Sequence, residues 1–292
     1  MTKLIVLTLY ELFVAGVTVL AAATILDVLN RAGGRLILRA FGSRVCLAAT
    51  ALSTVLHELS HAIMCLLFLH RIESMEFFSF DPVTGRSGFV RHRWDTESLY
   101  QRAGNFFVGI APMLAGVPLL VLSGSVCGVR TGSALGYQVA WSGSATHWTG
   151  TAVTHYLMTP LLSGITDLFT VHNLTNPYFY IYLPAAFIVC RAMAPSLPDL
   201  RGSGIGAAAA GVLTFLANTV AFFLGYNPWG FLGTIVAVSS AIIHVVGSAI
   251  AVSLFFLGIL WVLSLAVGRK RREAGAEVFR RSYGDGNQDK KR

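Results

Sequence analysis

The amino-acid sequence predicts an all-α polytopic membrane protein of about six transmembrane helices, with a small β-hairpin after the second. Three observations lead there. Of the 292 residues, 54% are hydrophobic and only 12% charged. The mean hydropathy is +0.65, outside the range of ordinary soluble domains. The apolar residues are gathered into runs of about 20, the length a helix needs to cross the hydrocarbon core of a bilayer. The net charge of +8 is concentrated in Arg269-Lys270-Arg271-Arg272 and Lys290-Lys291-Arg292. Such a tail suits a cytoplasmic stop facing anionic lipid, not a nucleic-acid site. Residues 1–268 therefore read as a single transmembrane domain, and 269–292 as a basic, disordered cytoplasmic tail.

The first span runs from Leu4 to Leu29 and is interrupted only by Glu11. It is too long for a cleaved signal and carries a carboxylate, so it reads as a retained anchor with Glu11 as an interhelical contact. Arg31 to Arg44, containing Gly33-Gly34, reads as a short basic link. The next apolar run, Val45 to Leu69, opens with Ala48, Ala49, Ala51, Ser53 and Thr54, small residues that let helices pack closely.

Within that run lies His57-Glu58-Leu59-Ser60-His61. Ionisable side chains at the centre of a membrane-length segment are costly and point to function. Residues four apart share a helix face, so His57 and His61 present two imidazoles to one cation with Glu58 beside them. This HExxH spacing suits Zn²⁺ hydrolysis. Neutral imidazoles hold the metal, the metal acidifies a water, and the carboxylate takes that water's proton and returns it to the leaving amine.

Met75 to Phe80 and Ser87 to Arg93 are β-like segments around the turn Asp81-Pro82-Val83-Thr84-Gly85, giving a hairpin at the membrane surface. His70 and His92 read as surface or interfacial residues. The third span, about Tyr100 to Val126, contains Pro112, which predicts a bend. Asn105 within it is either an interhelical hydrogen bond or a group that positions substrate. Gly128 to Asn176 reads as a Ser-, Thr- and Gly-rich external stretch, with Tyr156 to Ile165 dipping toward the membrane. Its His147, His155 and His172 lack ligand spacing, and Asn173-Leu174-Thr175 matches a glycosylation sequon.

A span from Pro177 to Ala194 ends in Pro195-Ser196-Leu197-Pro198-Asp199. The two prolines free backbone groups just where a carboxylate appears. Asp199 is the leading third ligand, with an N-cap role as its alternative and Asp167 as the rival ligand. Ser203 to Leu224 forms another span. Trp229 to Val267 exceeds one crossing and is either one long helix or two broken near Gly247-Ser248, with His244 a packing residue. Cys46, Cys65, Cys127 and Cys190 show no CxxC spacing and read as packed thiols.

The HExxH in a membrane span, the hairpin after it, the Pro-containing next span and the Asp after a later span resemble the site-2 protease family of intramembrane zinc metalloproteases, over about residues 45–202. The resemblance implies zinc held by His57, His61 and Asp199, and Glu58 as general base. The chain departs from the family pattern in two places: Gly202 stands three residues after Asp199, and Ala111-Pro112-Met113-Leu114-Ala115 lacks the family's Asn. The implied activity is hydrolysis of a peptide bond in or near a transmembrane segment of a membrane-protein or hydrophobic peptide substrate. An unwound substrate strand would add to the hairpin edge near Phe77 to Phe80. The alternative is a non-catalytic zinc-binding membrane protein acting as regulator or chaperone, against which the intact Glu58 argues.

Overall fold

In the computed structural model of the chain, residues 2–78, 88–130, 150–226 and 228–284 are described. The protein is mostly helical, with one two-stranded sheet. α1 (Thr2–Phe41) is followed by α2 (Ser43–Leu67), β1 (Arg71–Glu76) and β2 (Phe89–Arg93). Then come α3 (Leu99–Gly109), α4 (Ala111–Val126), α5 (Gly150–Leu168), the single turn α6 (Val171–Thr175) and α7 (Phe179–Met193). The chain closes with α8 (Leu197–Phe223) and α9 (Pro228–Gly284).

Among the described residues, four helices are long and apolar enough to cross a membrane: Leu4–Phe41, Ser43–Leu67, Gly206–Phe223 and Ala237–Val267. There are five if α3 and α4, bent by 58° at their junction, make one span. The expected count was six. The difference lies at Pro177 to Ala194, where α7 has only 15 residues and is too short for a full crossing. Leu9, Phe13, Leu20, Val220 and Leu254 on the long helices are exposed. Outward apolar side chains at this density fit a lipid-facing surface.

Several local expectations change. Arg31 to Arg44 is no link, because α1 continues to Phe41 and the chain breaks at Gly42, whose φ of 84° suits glycine. Pro112 does more than bend one helix: it sits in the first turn of α4, where its missing N–H costs nothing, so a new helix starts there. Residues 228–284 form one helix with no break at Gly247-Ser248. It carries the basic run at 269–272 within it. β1 starts at Arg71, earlier than Met75, and pairs antiparallel with β2 from Arg71↔Arg93 to Glu76↔Phe89, with a bulge between Ile72 and Ser74. The sequon asparagine is fully buried: Asn173 Nδ2 donates to Arg130 O at 2.8 Å and Leu168 O at 2.9 Å, leaving no room for a glycan.

The core gathers Met113, Leu120, Phe179, Tyr182, Met193 and Val252 where α4, α7 and α9 meet. α1 and α5 pack on α9, and α3 packs along α8. The last contact positions the site. A Cβ on Gly109 would run into Ser203 Oγ and lie 2.5 Å from the Asp199 carbonyl. A Cβ on Gly206 would run into the Phe106 backbone. Two glycines facing in opposite directions across this contact let the backbones approach closely, as small residues do in membrane helix pairs.

Candidate metal centre

His57 and His61 stand one turn apart on α2, and their Nε2 atoms are 3.2 Å apart. Asp199 Oδ2 lies 3.4 Å from His57 Nε2 and 3.6 Å from His61 Nε2. The other nitrogen of each ring is fixed: His57 Nδ1 is 2.9 Å from Ala192 O, and His61 Nδ1 is 2.7 Å from Val108 O. A carbonyl only accepts, so both Nδ1 atoms carry protons, and in the neutral tautomer each ring turns an Nε2 lone pair toward the other ring and toward a carboxylate. Three converging acceptors repel unless a cation lies among them.

The spacing fits one. Tetrahedral ligands at zinc–nitrogen distances of about 2.0–2.1 Å lie roughly 3.4 Å from each other, and the three observed separations bracket that value. They are longer than charge-assisted hydrogen bonds, which settle at about 2.7–2.9 Å. Backbone carbonyls holding the far nitrogens are the usual support for metal-binding histidines.

Asp199 is brought in by α8. Ser196 is the helix cap, and Asp199 is the third helical residue of a capping box: the Ser196 N–H donates to Asp199 Oδ2 at 2.7 Å, and the Asp199 N–H donates to Ser196 Oγ at 3.4 Å. Cap and ligand were alternatives in the sequence. The Asp199 carboxylate closes the capping box and faces both imidazoles at once, and the N-cap itself is Ser196, not Asp199. Asp167 is elsewhere, 3.9 Å from His244 Nε2 on α9. His244 is fully buried, with its Nδ1 3.0 Å from Ser163 Oγ, in keeping with a hydrogen-bonding role.

Glu58 and Asn105 share with the three candidate ligands the wall of one cavity of about 900 Å³. Residues 88–92 also line it, so the sheet's contribution comes from β2. Phe77 and Phe78 follow β1 in a bend, while residues 79–87, including the expected turn and the rest of the Phe77 to Phe80 edge, lie outside the described residues, as does His147. A Cβ on Gly88 would lie 2.9 Å from Glu58 Cγ, so the residue preceding β2 packs directly against the Glu58 side chain.

Two groups escaped the sequence reading. Arg191 on α7 lines the cavity, and its buried Nε and Nη1 have no hydrogen-bond partner among the described residues. His70, expected at the surface, is only 4% exposed, and its Nδ1 is 3.1 Å from His92 Nδ1. Burial, with the His70 and His61 rings nearby, pushes the His92 pKa down to about 4. Burial also lowers His70, against the pull of its bond to Gln101 O. Both rings are therefore neutral at pH 7. No sequence spacing ties residues 70 and 92 together, so no signal was there to find.

Fold and site define a membrane protein carrying a candidate two-histidine, one-carboxylate metal centre inside its helical bundle. No protein-family model, curated protein or solved structure matches the chain.

Proposed function

We propose that this protein is a zinc-dependent intramembrane endopeptidase that hydrolyses a peptide bond in or near a transmembrane segment of a membrane-protein substrate. The convergence of two backbone-anchored imidazoles and the Asp199 carboxylate beside Glu58, on a helix of membrane-spanning length, carries this reading. Asp199 completes a hard and borderline donor set for which Zn²⁺ is the default in hydrolytic chemistry.

When bound, the cation supplies Lewis acidity toward the scissile carbonyl and acidifies a water. The protein's residues do the rest. Ala192 O and Val108 O hold the ring planes of His57 and His61. Glu58 accepts the water's proton and passes it to the leaving amine, the one step in the site that needs a carboxylate outside the ligand set. Asn105, buried in the cavity wall, has an amide suited to holding the substrate carbonyl. The edge of β2 that faces away from β1, unpaired among the described residues, takes up an unwound substrate segment by strand addition, which exposes the scissile bond. The basic run at 269–272 supports a cytoplasmic side for the end of α9.

Glu58→Gln tests the reading. Purified protein in vesicles, given a single-span membrane substrate, loses cleavage with the variant while zinc content stays at the wild-type level. A variant that still cleaves removes Glu58 from the mechanism. If no cleavage is detected in wild type and zinc is bound in both, the protein is a zinc-binding regulator.

A further inference from the structure

A second cluster of metal-ligating side chains lies one turn beyond the first. Cys65 shares the α2 face with His57 and His61, at the same four-residue interval. Its sulfur and one nitrogen from each of His70 and His92 lie within 4.8 Å of one another. Cys65 is fully buried and His70 nearly so.

The chain takes an unfavourable course to bring them together. α2 ends with the Leu69 N–H on Leu66 O at 3.2 Å and the His70 N–H on Cys65 O at 2.8 Å, the Schellman pattern. The left-handed position of that motif normally belongs to glycine. Here it holds Leu69 at φ 57°, the one non-glycine with positive φ among the described residues, and its side chain is 70% exposed. A left-handed backbone is sterically unfavourable for a residue with a Cβ, and an exposed leucine recovers little of that by packing. The motif's usual apolar contact is replaced by a cysteine and a histidine. His70 is then oriented by α3: its Nε2–H donates to Gln101 O at 2.7 Å, leaving Nδ1 as a lone pair aimed at His92 Nδ1, 3.1 Å away. Gly104 makes this possible, since a Cβ there would lie 2.8 Å from His70 Nε2.

We infer that Cys65, His70 and His92 form a second metal site, distinct from the His57, His61 and Asp199 centre, which takes a borderline-soft divalent cation such as Zn²⁺. Two imidazoles and a thiolate are a donor set suited to that class. The separation of the two Nδ1 atoms is close to the roughly 3.4 Å of tetrahedral zinc ligands. On binding, the thiol gives its proton to solvent and the sulfur forms the bond to the cation. The ion reaches the site from the cavity, whose wall includes His92. Once bound, it ties the end of α2 to β2, the strand that lines the cavity beside Glu58. The inference does not depend on the peptidase reading.

Cobalt separates the sites, because only this one contains sulfur. Full-length protein stripped by chelator and titrated with Co²⁺ binds about two equivalents per chain, one of them with thiolate-to-cobalt charge-transfer absorption in the near ultraviolet. Cys65→Ser halves the stoichiometry and abolishes that absorption. His92→Gln, on a two-stranded sheet outside the helical core, produces the same twofold fall without disturbing helix packing. His57→Ala keeps the sulfur band and loses the other equivalent. A wild-type titration that saturates with no thiolate band overturns the inference, and so does a Cys65→Ser or His92→Gln protein that binds as much Co²⁺ as wild type. Loss of cleavage in Glu58→Gln, or its absence in wild type, leaves these readings unchanged.

Discussion

Gly109→Ala is a substitution remote from the donor atoms that strikes the contact delivering Asp199 to the histidines. The alanine Cβ would run into Ser203 Oγ and lie 2.5 Å from the Asp199 carbonyl oxygen. Ser203 Oγ has little freedom, because it donates to that same carbonyl at 2.8 Å. Non-bonded carbon–oxygen contacts settle at about 3.3 Å or more, so the first turn of α8 must withdraw by roughly 0.8 Å. Metal sites tolerate ligand displacements of about 0.2 Å. Asp199 Oδ2 starts 3.4 Å and 3.6 Å from the two Nε2 atoms, so the withdrawal takes it out of the tetrahedral spacing. Mispositioning a ligand of this kind costs about 10–100-fold in metal affinity, or about 1.4–2.8 kcal/mol. The assay is zinc affinity of detergent-purified protein by competition with a chromophoric chelator. Gly204→Ala is the control: it lies on α8, the helix that carries Asp199, and a Cβ there meets nothing within 4 Å. Alanine is the better helix former by about 1 kcal/mol, so intrinsic propensity works against the predicted loss. Wild-type affinity in a folded Gly109→Ala protein would refute the claim that the α3–α8 contact places the third ligand.

Two further outcomes follow from other contacts. Asp199→Ala should lower zinc bound at the His57/His61 centre by at least tenfold in affinity, while Asp167→Ala, whose carboxylate faces His244 and not this centre, should leave it unchanged; metal analysis after equilibrium dialysis reads both, and the reverse pattern would reassign the ligand. Asn218→Ala removes the Nδ2 donor that bonds Glu11 Oε2 at 2.7 Å and Thr8 Oγ1 at 3.1 Å between α8 and α1. Because Glu11 Oε1 is already buried without a hydrogen bond among the described residues, stranding the carboxyl should cost about 1–3 kcal/mol, seen as a lowered Tm in detergent; an unchanged Tm would mean that water or lipid replaces the amide.

The sequence by itself determined what depends on near neighbours. Apolar run length determined that this is a membrane protein, since crossing hydrocarbon is a matter of length and composition. The interval between His57 and His61 determined that their rings converge, because helix periodicity acts within one turn. The prolines around Ser196 marked a break in the helices with a carboxylate beside it, but the next span was expected from Ser203, whereas α8 starts at Leu197 and takes Asp199 into its first turn. Contacts between distant segments were decided only in the tertiary structure. Whether Asp199 or Asp167 meets the imidazoles turned on two glycines that let α3 and α8 close together, and nothing in the spacing of residues 57, 109 and 199 encodes that. The burial of His70 against His92 depended on a left-handed turn at Leu69, where no glycine announced it. The placement of Arg191 in the cavity wall likewise followed from how α7 packs. A helix repeats every 3.6 residues and so writes its own face into the sequence, whereas the approach of two helices is set by the shapes both present at their crossing, which neither stretch carries alone.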